Sequence, residues 1–364
     1  MDLLRRVQRT GGSSLAVTLP KSWTDSMSVK TGDSLKFKDL GEGRLEISIS
    51  SLGTTRSNEQ KLLRIQANNS PPNLVSRLLV GAYITGQDRI MVTDPNGVTP
   101  QLRKEIDKTV IQILGMSVVQ EERTSVEVQV FVDPTKHRLP SLLDRVFRML
   151  RLEIDICRQA LKQKNAGLLS QIETIENEID KFSLLMIRQI LLSADDFLVA
   201  KEVGIPSHHF QLGYRIASKM LEVIGDTLGN ISDSLAGGIA GIKRLPRSIL
   251  DDVDSKLETL DAILTKTMHL FAHESQDVPL EANEILDKLD HAIVDIFTLS
   301  TNLPKKTHDV RDAAQIQRIL SSLVAAMEVL KIMVEGLINR SCEPEVIARS
   351  GGKPILTYLE PHRS

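Results

Sequence analysis

Cysteine is scarce in this chain, with Cys157 and Cys342 the two among 364 residues. Two distant cysteines complete neither a thiolate zinc site nor a disulfide framework, so a reducing, cytoplasmic setting is expected. Cys157 falls in an apolar helical pattern and reads as a small buried hydrophobe. Aromatic residues make up 3% of the chain, low for a β-sandwich, while Leu, Ile and Ala fill long helical stretches. Neither sign of charge dominates: 45 Lys and Arg stand against 47 Asp and Glu. Any surface for a polyanion must therefore be local. No apolar run is long enough to span a bilayer and MDLLRR lacks the apolar core of a signal segment, so no membrane insertion is expected. Neither a Ser/His/Asp nor a Cys/His arrangement is apparent, and the chain is not expected to be an enzyme.

The length allows two or three domains. Residues 1–52 read as a small β-rich unit. LLRRVQRT and SLAVTLP are strand-like and flank Gly11-Gly12, which can supply the positive φ angles of a tight turn. Pro20 opens a short helical turn. In LKFKDLGEGRLEIS, Leu35 and Phe37 alternate with Lys36 and Lys38, and Gly41-Glu42-Gly43 forms a hairpin loop. About 50 residues bury too little surface to be comfortable alone, so pairing with a second copy is expected.

Gly11-Gly12-Ser13-Ser14, Val17-Thr18-Leu19-Pro20-Lys21 and Gly32-Asp33 give this segment a close resemblance to the SpoVT/AbrB family of swapped-hairpin β-barrels. The resemblance implies two intertwined chains in one barrel, a homodimer that binds DNA through basic residues of the first strand and nearby loop. Those residues are Arg5, Arg6, Arg9 and Lys21. Lys and Arg contacts to phosphate supply much of DNA affinity. Basic residues also blunt an exposed strand edge, so a barrel kept for dimerisation alone stays open. The segment has no aromatic platform for single-stranded bases.

Residues 53–60 read as a polar linker. Residues 61–135 follow as a small α+β domain in the order β-α-β-α-β-β, one sheet with helices on one face. It carries no Gly-rich phosphate loop and reads as a ligand-sensing module or a spacer. From Leu139 the pattern is helical, with Pro140 in a first turn. Two three-helix blocks, 139–240 and 246–341, look like a weak internal duplication, and 342–364 reads as a loosely ordered tail. The fold class is therefore multidomain and mainly α: an N-terminal swapped-hairpin barrel, an α+β middle domain and a tandem three-helix bundle.

The chemistry concentrates in Gln211–Ser232. As a helix it places Arg215, Glu222 and Asp226 on one stripe, within roughly 40°. Leu212, Ile216, Met220, Val223, Ile224 and Ile231 occupy the adjoining side, expected to pack. Glu176 and Asp180 repeat the i, i+4 spacing one helix earlier. Chance alone supplies about 6 such pairs among 47 acids in 364 positions, so a single pair carries little; two successive helices with one each carry more. Gly225 costs ~1 kcal/mol relative to Ala in a helix interior, so a close helix approach is expected there.

The run Leu221-Glu222-Val223-Ile224-Gly225-Asp226 with Arg215, and Ile175-Glu176 with Asp180, resemble the E/D-x-x-x-D motifs of the PhoU phosphate-uptake regulators. The resemblance implies that Glu176, Asp180, Glu222 and Asp226 ligate metal, iron or zinc, with Arg215 in support. All-oxygen ligation also suits Mg²⁺ or Mn²⁺. It further implies phosphate-responsive regulation, through DNA or through a phosphate transporter ATPase. The second block departs from the pattern. Leu286 and Asp290 align with Glu176 and Asp180, and Ala325 and Val329 with Glu222 and Asp226, while Arg318 is kept. It reads as packing surface, with Asp287/His291 a hybrid alternative. His208-His209 read as polar contacts at the start of a helix. His269 and His273 lack the Glu of a zinc hydrolase motif. A structural adaptor without DNA binding and a carboxylate-metal hydrolase are the competing readings.

Overall fold

The computed structural model describes residues 4–12, 14–41, 43–49, 62–206, 208–237, 245–272, 277–306 and 309–342. The 53–60 linker, His273 and residues 343–364 of the tail lie outside the described residues, as do the side chains of His208 and His209. Two compact units are formed, Met1–Gln60 and Lys61–Ser364.

The first unit is a small β domain. Gly11, at φ 71°, turns β1 (Gln8–Thr10) back onto β2 (Ser14–Ala16) in antiparallel register. The short helix α1 (Lys21–Ser26) follows Pro20, and β3 (Leu35–Gly41) pairs with β4 (Arg44–Ile49) as a hairpin. Among its described residues only Ile49 is buried, while Leu15, Val17, Phe37 and Leu45 are exposed. Among the described residues, one copy of this segment has almost no core of its own.

The second unit joins a sheet to a helical bundle. Strands β5 (Leu62–Gln66), β6 (Arg89–Thr93), β7 (Met116–Glu122) and β8 (Ser125–Val130) lie in the order β5-β6-β8-β7. β5 and β6 are parallel, which requires a crossover, supplied by α2 (Leu74–Ile84). α3 (Pro100–Ile111) starts with Pro100 at its first position and with the Thr99 hydroxyl accepting from the Leu102 amide. Leu79, Tyr83 and Ile106 from the helices meet Ile90, Val92, Val126 and Val128 of the sheet in one apolar layer.

The bundle consists of α4 (Leu139–Gln163), α5 (Ile172–Asp195), α6 (Phe197–Val203), α7 (His208–Ala236), α8 (Arg247–Ala272), α9 (Val278–Lys306) and α10 (Val310–Ser341). The short α6, within the stretch read as a link, is capped by Asp196 and stopped by Gly204 at φ 83°. Leu, Ile and Val at three- and four-residue spacing on α4, α5, α7, α8, α9 and α10 form a single core. The two three-helix blocks share it, because α7 packs along α10 and α4 along α8. A bidentate Arg151–Asp261 pair, at 2.7 and 3.3 Å, and Arg158, which reaches Asp254 at 2.8 Å and Glu258 at 3.1 Å, tie α4 to α8 at the rim. Leu212 and Ile216 of α7, expected to pack, are 71% and 50% exposed. The buried stripe runs instead through Ala217, Leu221, Ile224, Leu228 and Ile231.

The sheet is held to the bundle by α5. Arg188, 1% exposed, donates to the carbonyls of Tyr83 and Gln87 at the end of α2 and pairs with Asp88. The next residue, Gln189, donates to the carbonyls of Pro134 and His137 at 2.5 and 2.6 Å, fixing the connection between sheet and bundle. This explains why 61–135 and the helices form one compact unit. Arg188→Ala leaves two carbonyls and a carboxylate without their donor and is expected to lower the unfolding free energy by about 3 kcal/mol, measured by urea denaturation of the full-length protein.

Candidate functional site

α4, α5 and α7 converge at mid-bundle, where Gly225 of α7 lies against both partners. A Cβ there would meet Ile179 of α5 and Leu150 of α4 at 3.5 Å, an ordinary contact. The tight approach expected at Gly225 is found one turn later. A Cβ at Gly229 would lie 2.9 and 3.0 Å from the two carboxylate oxygens of Glu176. Glycine at 229 thus lets an α5 carboxylate rest on the α7 backbone.

All four expected acids share this region. Asp180, Glu222 and Asp226 can each offer one oxygen within 4.8 Å of the others. Glu176 interacts electrostatically with Asp180 and Asp226. A fifth acid, Glu153 of α4, joins from the core side: it is fully buried and feels the charges of Glu176, Asp180 and Asp226. Both Glu153 oxygens and Oδ1 of Asp180 are buried without a hydrogen-bond partner among the described residues. Glu153 carries no paired-acid signature in the sequence, because Met149 and Cys157 occupy the positions four residues to either side. The signal was its register, since it interrupts the apolar stripe of Val146, Leu150, Ile154 and Cys157.

Burial and mutual repulsion push these carboxyls up. Burial foremost, then Glu176, Asp180 and Asp226, raises Glu153 to about 9. Glu176 rises to about 7, through burial and then Asp226, Asp180, Asp233 and Glu173. Asp180 rises to about 6, through burial and then Glu222 and Asp226, with Lys219 opposing. Asp226 is raised by burial and Glu222, again against Lys219. Lys219 pairs with Glu222, the one ion pair made by these five acids among the described residues. Arg215, the expected support, makes no ion pair or hydrogen bond with them among the described residues. At seven residues from Glu222 it sits about 10 Å along the axis, whereas Lys219 is one turn away. A cleft of about 560 Å³ opens beside Glu176, lined by Ser170, Glu173, Gly229, Ser232 and Asp233 among others.

The donor set fits a hard cation. Oxygens within 4.8 Å of one another need small side-chain movements to reach the 2.0–2.6 Å distances of Mg²⁺ or Ca²⁺ ligation. No His or Cys belongs to the cluster among the described residues, and all-carboxylate sets suit Mg²⁺, Mn²⁺ or Ca²⁺ better than soft metals. The second block shows no such cluster among its described residues. Leu286 and Val329 pack on the core, Asp290 takes Lys331 at 2.6 Å, and Nδ1 of His291 lies 2.6 Å from the Asp287 carbonyl.

In the first unit, Arg5, Arg6, Arg9 and Lys21 are all exposed. Arg9 Nη2 donates to the Gly12 carbonyl at 2.9 Å, holding its guanidinium against the β1–β2 turn. Residues 8–50 match the family described as antidote-toxin recognition MazE, bacterial antitoxin. The chain thus carries an N-terminal domain of MazE/AbrB type followed by a large helical region; the PhoU family is not identified. No curated protein and no solved structure matches the chain.

The raised carboxyls set the sign of the pH dependence. The folded, metal-free protein holds protons that the unfolded chain has released, so stability is greatest at the acid end of the window. It falls as pH rises from the ordinary carboxylate range through about 6, 7 and 9, the values of Asp180, Glu176 and Glu153. Metal-free protein is expected to melt at a lower temperature at pH 8.5 than at pH 5.5, by differential scanning calorimetry. Glu153→Gln is expected to flatten that slope.

Proposed function

We propose that this chain is a regulator in which a cation-binding helical bundle is coupled to a dimeric DNA-binding β domain, and that it responds to phosphate status. The observation that carries the reading is the convergence of five carboxylates from three helices, from buried Glu153 to exposed Asp226, with Lys219 the one ammonium paired with them among the described residues. Glu176, Asp180, Glu222 and Asp226 would hold the cation. When bound, such an ion supplies a fixed positive charge and open coordination positions that attract phosphate oxygens. The phosphate half rests on that chemistry and on the likeness of the Leu221–Asp226 run to PhoU regulators. A transporter ATPase is then a second partner for the helices.

The DNA half is supported by the MazE/AbrB-type match at residues 8–50 and by exposed Arg5, Arg6, Arg9 and Lys21. Dimerisation is supported by Leu15, Val17, Phe37 and Leu45, exposed in the single chain, with Ile49 the one buried residue among the described ones. A partner copy covering them would supply the missing core. We read the protein as a regulator because a domain of MazE/AbrB type at residues 8–50 precedes the bundle in the same chain.

Purified full-length protein is expected to retain a divalent metal, and Glu222→Gln with Asp226→Asn to lose most of it, by elemental analysis. Unchanged metal content in that variant would sink the cation reading. In an electrophoretic mobility assay, Arg5→Ala with Arg6→Ala should weaken DNA binding about tenfold or more, and wild-type affinity should fall steeply with salt. Absent or salt-insensitive binding would leave the adaptor reading.

A further inference from the structure

The two edges of the middle sheet differ in a way that packing within one chain does not explain. β5 and β7 are its outer strands, each paired on one side among the described residues. Exposed strand edges invite pairing with other chains, and proteins blunt them with charge, irregularity or cover. β7 is blunted. Its register shifts between Val118 and Gln120, its exposed end carries Glu121 and Glu122, and Arg103 of α3 pairs with Glu121. β5 has none of these devices. Its sequence LLRIQ pairs with β6 without a break, holds no proline and no acid, and has Arg64 as its one charge.

Leucines mark the same edge. The register with β6 sets Leu63 and Ile65 beside Ile90 and Val92, on the face that α2 and α3 cover. Ile65 is buried there, whereas Leu63 is 37% exposed. α2 packs over β5 and β6, and its Ser76, bonded to Glu105 and Thr109, marks the side that meets α3. Leu78 comes two residues later, about 200° around the helix. It therefore lies on the opposite flank of α2, and it is 43% exposed. Edge strand and overlying helix both leave a leucine uncovered, each in its own layer.

We infer that β5 pairs antiparallel with β5 of a second copy of this chain, joining two four-stranded sheets into one of eight strands. A strand that meets its own copy across a two-fold axis runs antiparallel to it, and the contact closes at two chains. Placing Leu63 against the partner's Leu63 sets Arg64 beside the partner's Leu62 instead of a like charge. The α2 helices then approach on their Leu78 flanks, so both layers continue across the axis. The β domain supplies the second copy. β4 ends at Ile49 and β5 begins at Leu62, a stretch of chain that spans at most about 45 Å. A dimer of the β domain therefore holds two β5 edges on short tethers, which raises the effective concentration of one at the other. The inference rests on the dimer reading of residues 8–50 and is independent of the cation reading.

Hydrogen–deuterium exchange and sedimentation equilibrium on the full-length protein test it. In wild type, the amides of 62–66 should exchange as slowly as those of β6. Leu63→Lys and Leu78→Lys, each a charge on the edge, should speed exchange at 62–66 and raise the dimer dissociation constant at least about tenfold. Val119→Lys, on the blunted edge, should change neither. Fast exchange at 62–66 in a wild-type dimer would overturn the inference and leave the β-domain dimer standing. Slow exchange and an unchanged dissociation constant in both leucine variants would do the same. A monomeric wild type would overturn the dimer reading together with the inference.

Discussion

Repulsion among the carboxylates that α4, α5 and α7 bring together is the constraint to which the bundle answers. Two like charges 4 Å apart at an effective dielectric of 20 repel by about 4 kcal/mol, against a folding free energy of about 5–15 kcal/mol for a whole domain. Acids so grouped, with Glu153 in the core and Asp226 at the surface, favour protons or cations among them. The surrounding architecture supplies the resistance. Long amphipathic helices share one continuous apolar core across both blocks, and Arg151 and Arg158 fasten α4 to α8 behind the acids. Glu153 makes the constraint acute, because it is the one acid of the five that solvent does not reach. Under the proposed cation reading, such a site would cost stability when empty and recover it when filled, the thermodynamic requirement for a sensor.

α5 connects that site to the rest of its unit. Glu176 and Asp180 lie in its first half, and Arg188 and Gln189 two turns beyond Asp180 fix α2 and the Pro134–His137 connection. The middle sheet is therefore mechanically part of the bundle, and a shift of α5 would be felt at the C-terminal end of α2. The β domain of residues 8–50 stands differently. Its single-chain surface is apolar on Leu15, Val17, Phe37 and Leu45, the exposure that the proposed dimer would cover.

Much of this organisation was legible in the sequence for simple reasons. Helices of the bundle follow 3.6-residue periodicity, and the hairpin turns announce themselves through Gly11-Gly12 and Gly41-Glu42-Gly43. The middle domain's β-α-β-α-β-β order is marked by Pro and Gly punctuation. The two acid pairs were legible because each repeats an i, i+4 spacing on one helix. What escaped depends on three dimensions. Glu153 is a lone acid whose meaning comes from acids 23 to 73 residues away in sequence. Gly225 and Gly229 are equivalent as letters, and only packing shows that the Glu176 carboxylate rests on the second. Leu212 and Ile216 fit an amphipathic face, yet the register of α7 against α10 leaves them in solvent. Arg215 lies on the right stripe at the wrong height, and Lys219 takes the contact.

The central claim is that the converging carboxylates hold cations. The most direct measurement is an anomalous difference map from a crystal of the full-length protein grown or soaked with Mn²⁺. The account places anomalous density inside the bundle, within ligand distance of Asp180, Glu222 and Asp226. A well-ordered site with all five side chains visible and no anomalous density among them, at saturating Mn²⁺, would contradict it.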